Sequence, residues 1–215
     1  LDKTDPSTTA TPSGTLGSNG WYTSDVTLNF NCTDATSGCA AGSTEYSTNG
    51  GVDWTTGNSL VVSNEGTNNI YFRSKDNANN AEGDKLATVK IDKSDPVTTD
   101  DAPSGWQTSP FTVNFTCTDS VSGCDTTEYS LNNGSTWTPD TTPLNFSSDG
   151  TYTIKYRSSD LAGNQEPDPY ATVQLDQTDP SVTSVNPSGT INYDNPTISA
   201  SYSDAISGID TSSVS

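Results

Sequence analysis

The 215-residue chain has no histidine or methionine, 8 basic against 27 acidic side chains, a net charge of −19, and only 29% hydrophobic residues. The lack of histidine excludes Ser-His and Cys-His catalysis and the commonest zinc sites, and the acidity disfavours nucleic acid and anionic lipid as partners. No 18-residue apolar run occurs, so no membrane-spanning helix is predicted. Such a composition is usual in disordered chains, but here the apolar residues gather in short alternating runs. Leu1 is neither an initiator Met nor part of a signal peptide, so the chain reads as a segment of something longer or a processed product.

In chain order, Asp2-Lys3-Thr4-Asp5-Pro6 reads as a linker, and Trp21 opens the second strand. Val26, Leu28, Phe30 and Cys32 alternate with Thr27, Asn29 and Asn31, the period of a strand with one face inside. Glu45-Tyr46-Ser47 runs into Asn49-Gly50-Gly51, a hairpin signal, followed by Trp54. Arg73-Ser74-Lys75-Asp76 comes before the last strand. At Asp92 the series starts again. Asp92 to Pro96 repeats the linker, and Phe111, Val113, Phe115 and Cys117 repeat the alternation. Ser122-Gly123-Cys124, Glu128-Tyr129-Ser130, Asn133-Gly134 and Arg157-Ser158-Ser159-Asp160 follow in register. Tyr152, Ile154 and Tyr156 form another strand, and Val173 and Leu175 belong to a third. Asp176 to Pro180 opens the frame once more, with Ile198, Ala200 and Tyr202 in the second strand and Ser207-Gly208-Ile209 after it. Leu16 to Gly20 has no counterpart in the second unit.

The expected units are 1–91, 92–175 and a partial 176–215. About seven short strands per unit, without helical periodicity, predict an all-β fold of tandem immunoglobulin-like (fibronectin-like) β-sandwich domains forming a rod. The third unit holds only strands near 181–185 and 197–203, which would leave Ile191, Ile198, Ala200, Tyr202 and Ile209 exposed. Either the chain continues, or a neighbouring subunit supplies the missing strands.

The frame of linker, Gly20-Trp21-Tyr22-Thr23-Ser24-Asp25, Thr-Asp-x-x-Ser-Gly, Glu-Tyr-Ser and Tyr156-Arg157-Ser158 through Ala162-Gly163-Asn164 resembles the bacterial and archaeal immunoglobulin-like repeat of large surface and secreted proteins. The resemblance covers both full units and the visible part of the third. It implies stalks, spacers, adhesin shafts or filament parts rather than a chemical activity. Two departures stand out: the paired cysteines, and Asn77-Ala78-Asn79-Asn80 where the second unit reads Leu161-Ala162-Gly163-Asn164.

Cys32/Cys39 and Cys117/Cys124 share one spacing, and both positions change together in the third unit, to Tyr202 and Ile209. Joint loss is what bonded pairs show. Each disulfide would close an eight-residue loop, contribute about 2.5 kcal/mol and imply an extracytoplasmic location. Metal binding by such a pair without histidine is the poorer reading, and buried free thiols are the bland one.

A sandwich of this type gathers acids at one end of each unit: Asp2, Asp5, Asp34 and Asp76; Asp92, Asp95, Asp119 and Asp160; Asp176, Asp179 and Asp204. Clustered carboxylates repel unless a cation sits among them, and calcium suits oxygen ligands in loose geometry. Calcium at the domain junctions is one reading. Asx-turns without any ion are the other. A glycosidase acid–base pair fits poorly, because the acids recur at every linker and no pocket-forming insertion surrounds them. Trp54 and Trp137 read as hairpin packing, and Trp21 with Tyr22 is the better candidate for an exposed carbohydrate platform. Sequons at Asn31, Asn114, Asn133 and Asn145 fall on outward strand positions or in a turn, where glycosylation is accessible, although this composition produces such triplets by chance.

The leading expectation is therefore a non-enzymatic extracellular structural segment, a stalk, filament or sheath component of a cell-surface protein. Its partners would be neighbouring immunoglobulin-like domains of the same or identical chains. The alternative is an adhesin or carbohydrate-binding accessory module of a secreted protein, with glycans or another cell surface as partner. A third reading is a piece of a hydrolase whose catalytic domain lies elsewhere.

Overall fold

The computed structural model describes residues 1–186, 190, 192 and 199–213. Ile191 and Ile198 lie outside the described residues. By contacts the chain falls into two compact units, Leu1–Val97 with Cys117–Thr126 and Ser158–Pro167, and Thr98–Thr116 with Thr127–Arg157 and Asp168–Ser215.

The first repeat contains β1 (Ser7–Ser13), β2 (Trp21–Tyr22), β3 (Val26–Thr33), β4 (Glu45–Ser47), β5 (Thr55–Thr56), β6 (Ser59–Val62), β7 (Gly66–Arg73) and β8 (Lys85–Ile91). One sheet has the order β1-β3-β6 and the other β2-β8-β7-β4-β5. β1 and β3 are antiparallel from Ser7 opposite Thr33 to Ser13 opposite Thr27. The alternation in β3 puts Val26, Leu28 and Phe30 inside, against Val62, Ile70, Phe72, Val89 and Ile91. Phe30 lies between Tyr46 and Phe72, with centroids 5.7 and 5.3 Å away. Each buried aliphatic or aromatic side chain of this kind contributes roughly 1.5–3 kcal/mol.

The second repeat supplies β9 (Val97–Asp100), β10 (Trp106–Gln107), β11 (Phe111–Val113), β12 (Phe115–Thr118), β13 (Cys124–Ser130), β14 (Thr138–Pro139), β15 (Leu144–Phe146), β16 (Gly150–Asp160) and β17 (Tyr170–Leu175). The order β10-β17-β16-β13-β14 matches the larger sheet of the first repeat. Val113, Leu144, Phe146, Ile154 and Val173 form its core.

Two local features differ from the sequence reading. Trp21 and Trp106 do not open the strand that follows them. Each starts a two-residue strand running parallel to the last strand of its repeat, in the opposite sheet. Asp92 N–H to Tyr22 O and Asp176 N–H to Gln107 O, both 2.9 Å, extend that pairing. The strand expected across Phe111 to Cys117 is interrupted at Asn114. There the Asp101 carboxylate accepts both the Asn114 N–H and its amide, each at 2.7 Å, while Asn114 O accepts the Asp101 N–H at 3.3 Å.

At one end the core turns polar. Thr8, Thr44 and Ser74 are buried, with Thr8 Oγ1 donating to Ser74 Oγ at 2.7 Å and Ser74 Oγ 2.9 Å from Thr44 Oγ1. Glu82, also buried, accepts the Thr8 N–H at 2.9 Å and pairs with Lys85 Nζ at 2.9 Å. Glu166 likewise accepts the Ser158 N–H at 2.8 Å. Hydroxyls satisfying one another allow a small core to close with few apolar residues.

In the third repeat, β18 (Ser181–Asn186) and β19 (Ser199–Ser203) pair antiparallel around a bulge between Val182 and Ser184. Val182, Val185, Tyr202 and Ile206 are exposed, as is Ala200, whereas Ile209 is half-buried.

Candidate functional site

Both cysteine pairs are bonded, Cys32 to Cys39 and Cys117 to Cys124, with Cα atoms 6.2 and 6.3 Å apart. Each loop so closed carries an aspartate that folds it. Asp34 Oδ1 accepts the N–H groups of Thr36, Ser37 and Gly38 at 3.1, 2.8 and 2.8 Å. Asp119 Oδ1 does the same for Val121 and Gly123 at 3.1 and 2.6 Å. Asp204 Oδ1 accepts from Ile206 and Gly208, both at 3.0 Å, with no disulfide around it. The Asp-x-x-Ser-Gly turn is therefore encoded by its own hydrogen bonds, and the disulfide is an added staple.

The linker acid and the acid before the last strand close on this loop. Asp2 Oδ2 accepts the Ser37 N–H at 3.1 Å, Asp92 Oδ2 the Ser122 N–H at 2.9 Å, and Asp176 Oδ2 the Ser207 N–H at 2.9 Å. Asp76 holds both the N–H and the amide of Asn80 at 2.7 Å. Asp160 holds Asn164 the same way at 2.8 Å, and also the Gly163 N–H at 2.7 Å. One oxygen from each of Asp2, Asp34 and Asp76 lies within 4.8 Å of the others, and Asp92, Asp119 and Asp160 form a second such group. Asp76, Asp92 and Asp160 are 2%, 0% and 1% exposed. No lysine or arginine pairs with these six carboxylates among the described residues. The structure leaves the other expected ligands outside these groups. Asp5, Asp95 and Asp179 are exposed on the linkers, and Asp5 and Asp95 line shallow depressions beside Asp34 and Asp119. In the third repeat Asp176 and Asp204 meet across the Ser207 turn.

This all-oxygen, all-carboxylate set fits a hard cation such as calcium and is unsuited to zinc. Each acid is also an acceptor for its own turn, and those bonds need no ion.

Downstream of each last strand, the linker is fastened sideways. Glu65 Oε1 accepts the Lys93 N–H at 2.8 Å and Ser94 Oγ at 3.1 Å, and Lys93 Nζ reaches Asp25 at 2.9 Å. Asp149 accepts the Gln177 N–H at 2.9 Å and Thr178 Oγ1 at 2.8 Å. Pro96 is fully buried.

Hydrogen bonds hold several of these carboxyls below the ordinary range. For Asp2 the Thr4 N–H acts most, for Asp149 the Thr178 side chain, and for Asp176 the Ser207 side chain. A depressed folded pKa contributes stability above the unfolded value, about 3.9 for aspartate, and that stability is lost as pH falls through the folded value. The thermal midpoint is therefore expected to be flat between about pH 5 and 8 and to fall below about pH 4. A titration step near neutrality, where no histidine exists to produce it, would contradict this.

Sequence reasoning missed one contact. The extra segment Leu16 to Gly20 docks on the turn at 161–163. Ser18 N–H donates to Ala162 O at 2.7 Å, and Asn19 Nδ2 to Leu161 O at 2.9 Å. A Cβ on Gly17 would stand 2.2 Å from Ala162 O, and one on Gly163 would stand 3.1 Å from Ser18 Oγ. The first repeat has Asn79 at the place of Gly163, with φ of 68°. The signal for this contact was the unmatched insertion itself.

Trp54 and Trp137 are packed by cations. Arg73 stacks over Trp54 at 3.7 Å and Arg157 over Trp137 at 3.9 Å, while Glu45 and Glu128 hold the guanidinium groups at 2.6 Å. Trp21 and Tyr22 are half-buried rather than an open platform, and Lys90 Nζ sits 5.7 Å from the Trp21 ring. All four sequon asparagines are exposed. Asn114 alone among them is tied by its amide, to Asp101 at 2.7 Å.

The fold and site define the class: an immunoglobulin-like β-sandwich protein of tandem repeats. No family model matches the sequence, and no curated protein is significantly similar to it. Similar solved structures include the fibronectin(III)-like modules of Clostridium thermocellum CbhA, with 10% identity, TM-score 0.38, and coverage of 79% of this chain and 94% of that one. The three N-terminal domains of the bacteriophage RB49 highly immunogenic outer capsid protein (Hoc) show 12% identity and TM-score 0.41, over 97% of this chain and 71% of that one. The FN1–FN3 domains of chicken CNTN1 show 12% identity and TM-score 0.29, over 77% and 66%. Likeness at this level transfers no role, and the class assignment rests on the strand order and cores described above.

Proposed function

We propose that this chain is a non-enzymatic structural segment of an extracellular or cell-surface protein, a stalk, filament or sheath component built from repeats bounded near 91/92 and 175/176. Its work is mechanical: it holds distance and direction. The linker chemistry carries this reading. Short Asp-x-x-Asp-Pro connections are hydrogen-bonded at the acid and along the backbone, and Pro6 and Pro96 are buried, so few of their torsions are free. The paired cysteines support an oxidising location, and the high negative charge keeps neighbouring rods apart. Calcium among Asp2, Asp34 and Asp76, and among Asp92, Asp119 and Asp160, would offset two of the three negative charges in each group and tighten it further. Backbone ¹⁵N relaxation of the full chain tests the reading. Lys93, Ser94 and Thr178 are expected to show order parameters of about 0.85, as in strands. Values below about 0.6 would make them flexible tethers and end the structural reading.

A further inference from the structure

We propose that the groove between β6 and β7 is a binding site for a neutral carbohydrate. This goes beyond the mechanical role and does not depend on it. The groove has a volume of about 550 Å³ and is lined mainly by Leu60 to Asn64 and Thr67 to Tyr71. That size is within the range of small-ligand sites, roughly 300–1,000 Å³.

The groove exists for a readable reason. Among the described residues, β6 pairs with β3 on one side only, and β4 meets β7 only at Tyr71 to Arg73, so the stretch Gly66 to Ile70 pairs only with β8. Two free sheet edges therefore face the opening. In the second repeat, the positions of Val62 and Asn68 are held by Phe146 and Tyr152. Those rings pack at 4.9 Å, and Tyr152 Oη donates to Ser148 O at 2.9 Å. The first repeat replaces two aromatic rings with a valine and an asparagine, and space opens between them.

The lining selects the ligand. Among the described residues, none that lines the groove is charged, although the chain carries a net charge of −19. A cation finds no carboxylate there, and an anion finds no lysine or arginine. What the groove offers is amides, hydroxyls and one aromatic ring. Asn68 Nδ2 is anchored on Asn64 O at 2.8 Å and Gly66 O at 3.2 Å, which leaves its Oδ1 as a fixed acceptor. Asn69 Oδ1 is taken by Thr88 Oγ1 at 2.9 Å, which leaves its Nδ2 to donate. Thr67 and Tyr71 add hydroxyls, and Val62 and Ile70 a buried apolar floor. Sugar hydroxyls are paired donors and acceptors on an uncharged ring with apolar C–H faces, and they match this set. An added peptide strand is the rival occupant. The Gly66-Thr67-Asn68-Asn69 edge suits it poorly, because glycine and asparagine are depleted in strands.

The test is titration of the ¹⁵N-labelled full chain with neutral oligosaccharides: cellohexaose, chitohexaose, xylohexaose and mannohexaose. Saturable shifts confined to Asn64, Asn68, Asn69 and Tyr71 are expected with at least one. The double variant Val62→Phe/Asn68→Tyr, which copies the second repeat, should stay folded and lose at least tenfold in affinity. Tyr71→Ala should weaken binding with an unchanged thermal midpoint, and it stands in if the double variant fails to fold. Silence across the panel overturns the proposal. So do shifts that survive both variants, or shifts of Gly66 to Ile70 produced only by extended peptides. None of these outcomes alters the linker order parameters on which the structural reading stands.

Discussion

Reduction of the two disulfides should lower the stability of each repeat by about 2.5 kcal/mol, the entropy released when an eight-residue loop is freed. For sandwiches of this size that is a fall in thermal midpoint of roughly 10–20 °C. The effect should be global rather than local. Asp204 organises the same turn in the third repeat with Tyr202 and Ile209 in place of the cysteines. The Ser37, Gly38 and Gly123 amides should accordingly stay protected after reduction at ambient temperature. Melting with and without reductant, with alkylation to count free thiols, checks both parts. An unchanged midpoint after complete reduction would remove the staple from the account. Loss of the turn on reduction would show that the aspartate cannot hold it unaided.

The second large effect is expected at Asp92, which is 0% exposed. Its two oxygens accept the Ser94 N–H at 3.1 Å and the Ser122 N–H at 2.9 Å. Asp92→Ala removes the acceptor from both part-buried donors, at a cost of about 1–3 kcal/mol. Asp92→Asn keeps one of the two acceptors and removes the negative charge that a cation would meet. If calcium binds with Asp119 and Asp160, millimolar calcium raises the wild-type midpoint relative to chelator, and Asp92→Asn abolishes most of that rise. If calcium leaves the wild type unmoved, the carboxylates act only as turn acceptors and no ion belongs at the junction.

Much of this molecule was legible in its sequence because a strand's chemistry is local. Val26, Leu28 and Phe30 face inward because side chains alternate across a strand, and the repeat let each assignment be checked against a second copy. The cysteine pairing followed from joint replacement in the third repeat, and the acidic poles from one shared frame. Where the reading slipped, a partner distant in sequence was responsible. Trp21 joins β8 in parallel because Lys90 and Ile91 offer a free edge, which nothing near residue 21 announces. Asn114 breaks its strand because Asp101 supplies a competing acceptor.

The sequence by itself determined the all-β class and the tandem frame, since these follow from period, spacing and repetition. Only the tertiary structure decided which acids converge. Asp2, Asp34 and Asp76 meet, while Asp5, one turn of linker away, points to solvent. It also decided that the 16–20 insertion grips the turn at 161–163, and that Val62 and Asn68 leave a groove where Phe146 and Tyr152 fill one. The physical reason is the same in each case: convergence, close approach and empty volume are properties of side chains brought together across sheets, and no local pattern records them.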